Sequence, residues 1–336
     1  GLDIERPDEL LAYLRRSGHI TADEQPAITN LAGGVSNRTV LVERPGGEAW
    51  VLKQALKKLR VAVEWYSSPE RINREALGLR WLERLIPGAS TRLIFEDHSN
   101  YVLAMQAVPQ PHENWKTMLL TGRLETRHVE QFGQLLGTIH RTAYERRDQI
   151  AAAFNDRSFF ESLRIEPYYV YTWTQIPETA SFYDALIAAT RARRLTLVHG
   201  DYSPKNILIY QGRLVLLDHE VIHFGDPAFD LGFALAHLLS KAHHVRERRA
   251  AFAGAAADFW RSYRDSLGDF PWAADLEPRA VRHTLGCLLA RVAGRSTLEY
   301  MSGEERALQR TAVIPLIHKP PTTIVELIRA FVDRCY

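Results

Sequence analysis

The chain has 336 residues, 46% of them hydrophobic and 24% charged, which is ample material for a core and excludes a disordered or collagen-like chain. A formal net charge of +2 gives no electrostatic case for nucleic acid. Two cysteines, Cys287 and Cys335, lack CxxC partners, which argues against a disulfide framework or zinc knuckle and fits a reducing compartment.

In chain order, RPDELLAYLRRSG reads as a helix over 7–17, with Leu10, Leu11 and Leu14 on one face and Gly18 past its end. The stretch 27–56 alternates and is β-branched, giving strand, glycine turn, strand, Pro-Gly-Gly turn, strand. SPERINREALGLRWLERLIPG (68–88) is an amphipathic helix, with Ser68 as its cap, Pro69 in its first turn and Pro87-Gly88 at its end. Two more strands follow across 90–109, and Pro109 and Pro111 mark a connector.

Helical periodicity then dominates, in TRHVEQFGQLLGTIHRTA and in 178–193, 227–242, 247–265, 278–293 and 322–334. The basic stretch HHVRERR (243–249) reads as a solvated helix face. The expected architecture is α+β and bilobal. A nucleotide-binding lobe over 1–108, with a small antiparallel sheet and one long helix, precedes a larger helical lobe over 109–336. No run approaches the ~18 uninterrupted apolar residues of a membrane span. The charged start GLDIERPDELLAYLRRSGHI has no apolar signal core. A cytoplasmic protein without nucleic-acid or membrane partners is expected.

Chemistry concentrates in LVHGDYSPKNILIYQGRLVLLDHE (197–220), where short β-prone runs separate Asp201, Asn206 and Asp218. A carboxylate in the loop after a strand can take a proton from a hydroxyl. Asn206 opens the next strand and Asp218 ends its hairpin partner, so one hairpin brings two oxygen ligands together. Such a pair suits Mg²⁺, which keeps waters and substrate phosphates as its other ligands. In the first lobe, the turn LAGGVSN can bring backbone N–H groups and Ser36 to a phosphate. Lys53 interrupts the apolar strand AWVLKQAL, and Glu75, one turn into the long helix, can hold it.

The order glycine turn, strand lysine, helix glutamate, connector, HGDxxxxN and strand aspartate resembles the protein-kinase-like fold. Within it, HGD and DHE resemble the aminoglycoside phosphotransferase/choline kinase branch, from about residue 28 to about 300. That resemblance implies that Asp201 is the catalytic base and that Asn206 and Asp218 ligate Mg²⁺, with Glu220 a second-metal or water contact. It implies ATP as co-substrate, with Lys53 on the α/β-phosphates paired to Glu75. Gly33, Gly34 and Ser36 would form the phosphate loop, and MQAV (105–108), through Gln106, Ala107 and Val108, would be the adenine hinge. Lys205 would contact the transferred phosphoryl or solvent, while His199 and Asp230 would be structural.

Only 11 residues separate Asp218 from Asp230, with no Ala-Pro-Glu, which leaves little platform for a peptide. The partner expected is a small acceptor with a hydroxyl group. VLKQALKKLRV and SSPERINREA also resemble methylthioribose kinases, for which the acceptor is a sugar hydroxyl. Arg291 and Arg295, one helical turn apart, either bind an anionic acceptor or are surface or salt-bridged arginines. Trp115 and Trp173 either stack on a sugar or pack. Two readings from other classes stand beside the kinase: a non-catalytic nucleotide-binding pseudokinase, and a metal-dependent phosphohydrolase using His199, Asp201, Asp218, His219 and His223.

Overall fold

The computed structural model describes residues 1–32 and 34–336. Helix α1 (Pro7–Arg16) has proline in its first turn, Asp8 and Glu9 at its positive end and Arg15 and Arg16 at its negative end. Strands β1 (Ala27–Asn30), β2 (Asn37–Glu43), β3 (Ala49–Ala55), β4 (Leu93–Asp97) and β5 (Val102–Gln106) form one antiparallel sheet in the order β1-β2-β3-β5-β4.

Strand alternation divides that sheet between two helices. Trp50 and Leu52 of β3 turn toward α1, packing with Leu10, Tyr13 and Leu14. Val51 and Ala55 turn the other way, toward Ile72, Ala76 and Leu79 of helix α2 (Arg71–Leu85). Lys53 lies between Val51 and Ala55 in this period, so its side chain is delivered to the α2 face.

Helix α2 begins two residues later than its sequence suggests. Ser68 is not its cap: the Ser68 hydroxyl accepts from the Glu70 N–H at 3.3 Å, and Ser68 and Pro69 carbonyls take the Arg71 and Ile72 amides in tight turns. This lead-in frees the Arg71 side chain to turn inward, where it is fully buried.

From residue 113 the chain is mainly helical. After β6 (Glu113–Asn114) come α3 (Trp115–Leu120), α4 (Thr126–Glu145), α5 (Arg147–Phe154) and α6 (Ser158–Phe160). A π-helix (Glu161–Val170), α7 (Tyr171–Gln175) and α8 (Ala180–Ala192) follow. Strand β7 (Thr196–Val198) leads to the hairpin β8 (Ile207–Tyr210) and β9 (Arg213–Leu216), and β10 (His223–Gly225) pairs back on β7. Helices α9 (Pro227–His244), α10 (Arg249–Leu267), α11 (Leu276–Ala293), α12 (Gly303–His318) and α13 (Ile324–Arg334) complete the fold.

Glycines set the closest helix approaches. A Cβ on Gly133 would lie 2.5 Å from the Phe259 carbonyl oxygen, and one on Gly137 2.6 Å from that of Tyr263, so α4 and α10 touch backbone to backbone. Gly232 does the same for α9 on α11, where an added Cβ would meet the Thr284 nitrogen at 2.7 Å.

The stretch 243–249 is solvated only in part: Arg246, Glu247 and Arg248 are exposed, and its two ends turn inward. His243 is buried and its Nε2 donates to the Glu305 carbonyl at 2.9 Å; Arg249 is buried and donates to the Ala242 and His243 carbonyls. The helix breaks at Val245, and these polar side chains close the break. Among the described residues both cysteines are free and buried, and no helix is long and apolar enough to cross a membrane.

Candidate active site

The sheet and the helical part meet along one seam. Lys53 donates to Glu75 Oε1 at 2.7 Å and is also ion-paired with Asp218. Glu75 is fully buried, and burial, opposed by Lys53 and abetted by Asp218 and Glu220, pushes its carboxyl up to about 7. Burial works against the Lys53 charge, but Asp218 and Glu75 outweigh it and hold the ammonium above its ordinary value. Asp218 moves the opposite way, to about 2: burial raises it and Lys53 more than reverses that.

The β8–β9 hairpin places the next pair. Ile207 faces Leu216, and the Leu217 N–H donates to the Asn206 carbonyl at 2.8 Å, which sets Asn206 beside Asp218. Asp218 has φ = +60°, a left-handed conformation that costs a non-glycine residue energy and turns its carboxylate out of the strand direction. Asn206 Nδ2 donates to the Asp201 carbonyl at 2.8 Å, so the side-chain oxygen is its remaining polar atom.

Asp201 is buried but richly served with charge. Arg164 Nη2 lies 2.9 Å from its Oδ1 and Lys205 Nζ 3.8 Å from its Oδ2. Burial raises its pKa, and Lys205, Arg164 and His199 together bring it below the usual carboxylate range. Beneath the loop, Asp230 accepts the His199 and Gly200 N–H groups at 2.9 and 2.8 Å and lies 2.9 Å from His140 Nε2. His199 donates Nε2–H to the Leu217 carbonyl and accepts the Asp201 N–H, a neutral tautomer that burial favours. Gly200 has φ = +83° and would press a Cβ 2.7 Å from Val221, so only glycine fits this turn.

Glu220 and Ser36 meet each other. Ser36 Oγ donates to Glu220 Oε1 at 2.8 Å, Asn37 Nδ2 and Arg71 Nε donate to Oε2 at 3.2 and 3.1 Å, and Arg71 also binds the Ser36 carbonyl. This clasp ties the turn before β2 to the segment after β9. Gly34 is exposed within that turn; Gly33 lies outside the described residues. In the stretch expected to be the hinge, Gln106 and Ala107 spend their N–H groups on the Arg92 and Ala49 carbonyls. Val108 lends its carbonyl to His112 Nδ1 at 3.1 Å.

The histidines drawn into a metal cluster each have at least one ring nitrogen bonded outside it. His219 Nε2 meets Ser90 Oγ at 2.8 Å and His223 Nδ1 meets the Val221 carbonyl at 2.8 Å, while His199 is bonded as above. Among the described residues no group of three His, Cys, Asp or Glu side chains is placed to hold a metal. Arg295 is salt-bridged to Glu166 at 2.8 Å and stacks over Tyr171, whereas Arg291 is buried. Trp115 is fully buried against Phe132, and Trp173 is half-buried.

Sequence reasoning missed Arg71, Arg164 and His140. Each has a faint signal: an arginine opening a helix, an arginine inside the apolar run SLRIEPYYV, and a histidine on the apolar stripe of α4. Their partners lie 149, 37 and 90 residues away, so no local pattern could connect them.

Comparison with solved structures identifies the fold class. An amicoumacin kinase solved with AMP-PNP and Ca²⁺ aligns over 96% of this chain and 99% of its own, with a TM-score of 0.61 and 16% identity. A choline kinase from Cryptosporidium parvum aligns over 96% and 100%, with a TM-score of 0.58 and 10% identity. The fold is therefore the kinase-like α+β bilobal one. The chain belongs to the phosphotransferase enzyme family, whose family model matches residues 27–270. It is also similar to the methylthioribose kinase of Pectobacterium atrosepticum, at 24% identity over 260 residues and 69% of this chain. That match spans 64% of the relative's length, just under two thirds.

Proposed function

We propose that the protein is an ATP- and Mg²⁺-dependent kinase that phosphorylates a hydroxyl of a small molecule, with Asp201 as the base. The observation that carries this reading is the Glu75–Lys53–Asp218 chain, which joins the sheet to the hairpin holding Asn206 and, through it, Asp201.

Lys53 is the phosphate-binding cation, and its two carboxylate partners keep it charged. One carboxylate and one amide oxygen, from Asp218 and Asn206, fit a Mg²⁺ that takes its other ligands from phosphates and water. Bound there, the ion would neutralise phosphate charge. Val108 N–H is the hinge donor for the adenine, since the amides of Gln106 and Ala107 are already spent.

Asp201, kept ionised by Lys205 and Arg164, orients the acceptor hydroxyl and receives its proton. The acceptor oxygen forms the new bond to the γ-phosphorus, the bond from that phosphorus to the bridging oxygen breaks, and ADP leaves. A loose transition state asks for positioning more than for a strong base, which suits a carboxylate of lowered pKa. Lys205, half exposed beside Asp201, is placed to meet the transferred group. His199 and Asp230 shape the loop.

The curated methylthioribose kinases make a sugar hydroxyl a second specific acceptor reading. ADP release from Mg·ATP across sugars, choline, aminoglycosides and hydroxy acids tests the activity. Failure to bind Mg·ATP at all would overturn it.

A further inference from the structure

A concentration of buried positive charge adjoins Asp201 that the roles above leave unused. Arg164, which clasps Asp201, stands over the rings of Tyr168 and Phe233 at 5.2 and 5.4 Å. Arg291 of α11 lies 5.5 Å from the same Tyr168 ring and donates to its hydroxyl at 3.0 Å. Phe233, His237 and Lys241 follow at intervals of four on α9, one above another, with the Phe233 and His237 rings 4.9 Å apart. Lys241 and Lys116 then share the ring of Tyr300, at 5.3 and 5.9 Å.

Several of these groups have unspent polar atoms. Lys241 is 1% exposed, yet no hydrogen bond or ion pair holds its ammonium among the described residues. His237 Nε2, Arg291 Nε and Tyr300 Oη are buried without partners. The carboxylates nearby are already engaged: Asp201 by Arg164, Glu305 by His244, and Glu299, whose side chain is 63% exposed, by Lys116. Folding normally neutralises buried cations with buried carboxylates, because an ion taken out of water without a partner loses its hydration uncompensated. For Lys241 and Arg291 no carboxylate supplies that compensation, and the unpartnered atoms around them can all donate. The charge sign also opposes the quaternary amines and polyamines that an acidic pocket would draw.

We propose that the acceptor is an anion: a small alcohol whose carboxylate or phosphate is held by Lys241, Arg291 and Lys116, with His237 and Tyr300 beside it and its hydroxyl at Asp201. This assignment rests on the kinase reading for the hydroxyl, but the anion site can be tested apart from turnover. Burial, with Lys116 and Arg291 adding to it and Glu299 opposing, lowers the Lys241 ammonium to about 7. An anion seated there would restore its proton.

The test titrates protein saturated with Mg·AMP-PNP, so that the nucleotide site is filled, with inorganic phosphate and with malonate by calorimetry at about pH 8. The two probes separate a phosphate ester from a carboxylate as the preferred group. Saturable binding with proton uptake is expected, weakened about tenfold or more in Lys241→Met and in Lys116→Gln, with the uptake lost in Lys241→Met. Arg295→Gln, whose arginine is locked on Glu166, should bind as the wild type does. No saturable anion binding, or binding indifferent to Lys241, overturns the proposal.

Glycerate and glycerol 3-phosphate should then be better acceptors than glycerol or choline. Turnover of choline or an aminoglycoside with none of the anionic alcohols overturns it as well. Absence of AMP-PNP binding would sink the kinase reading instead, and the anion titration on the free protein, with Lys241→Met beside it, would still decide this site.

Discussion

Lys53 and Glu75 form a buried ion pair, 2.7 Å from Nζ to Oε1, between the central strand of the sheet and the one helix packed on that face. The pair exists because β3 alternates: Val51, Lys53 and Ala55 share the side that α2 covers. Lys53→Ala removes the cation proposed to bind phosphate and leaves Glu75 buried without its partner. Turnover should fall by about 10²-fold or more, with weaker Mg·ATP binding. Glu75→Gln keeps the shape and leaves Lys53 to Asp218, so it should cost less, about tenfold. Steady-state kinetics with nucleotide varied reads both; an unchanged rate in Lys53→Ala would remove that residue from the site.

Asp201→Asn should lower turnover by about 10²–10⁴-fold, the range for loss of a general base, while AMP-PNP affinity stays near the wild-type value. Arg164 would lose its ion-pair partner, so stability needs to be measured alongside. Comparable turnover in the folded mutant would refute the base assignment.

Asp218 and Glu220 stand two residues apart but have different surroundings. Asp218 is one-third exposed at the seam, whereas both Glu220 oxygens are taken by Ser36, Asn37 and Arg71. Asp218→Asn should raise the Mg²⁺ concentration needed for half-maximal rate by at least about tenfold. Glu220→Ala should act on the turn before β2, raising KM for ATP with little change in Mg²⁺ requirement. A large Mg²⁺ effect in Glu220→Ala would make that residue a ligand.

These surroundings also show where the sequence is informative. Period-two alternation and turn residues specify the sheet, and the spacing of Asp201, Asn206 and Asp218 specifies the hairpin, because those signals are local. Helix α12 was missed although Ser302 and Glu305 form a reciprocal capping box, since Pro315 and a charged first half blur its apolar stripe. The segment 147–175 was missed because Pro167 and a run of aromatics give no clean period; it forms three short α-helices around a π-helix over Glu161–Val170. Arg71 and Arg164, the cations that fix Glu220 and Asp201, are tertiary facts. The same holds for Arg291 and Arg295: one turn apart in sequence, they diverge, one into the buried cluster and one onto Glu166.

Asp230 braces the loop from below with two backbone amides and His140, all fully enclosed. Asp230→Ala leaves those donors buried and unsatisfied, so a loss of about 3–5 kcal/mol in urea unfolding is expected, with turnover lost as the loop relaxes. The pKa of Asp230 is lowered; burial raises it, and His140, His199 and the Gly200 amide reverse that. Its contribution is therefore present above the unfolded pKa of about 4 and disappears as pH falls through the folded value. The gap between wild type and mutant should narrow on acidification, and a pH-independent gap would deny the carboxylate its charged role.

Lys241 has the opposite sense. Its folded pKa of about 7 lies below the unfolded value of about 10.4, so between those limits the unfolded chain binds more protons. Wild-type stability from this group therefore rises with pH across that window, and the cost of burying the cation is complete below about pH 7. Lys241→Met removes that cost and keeps the aliphatic packing beside Tyr300. In the absence of anions the mutant should be more stable than wild type at about pH 6, and the advantage should shrink by about pH 9. Added phosphate should stabilise the wild type and not the mutant, because only the wild type gains a partner for the ammonium. Urea midpoints at the two pH values, with and without phosphate, measure all of this; an advantage that neither pH nor phosphate alters would mean that Lys241 keeps its proton in the fold throughout this range and meets no anion there.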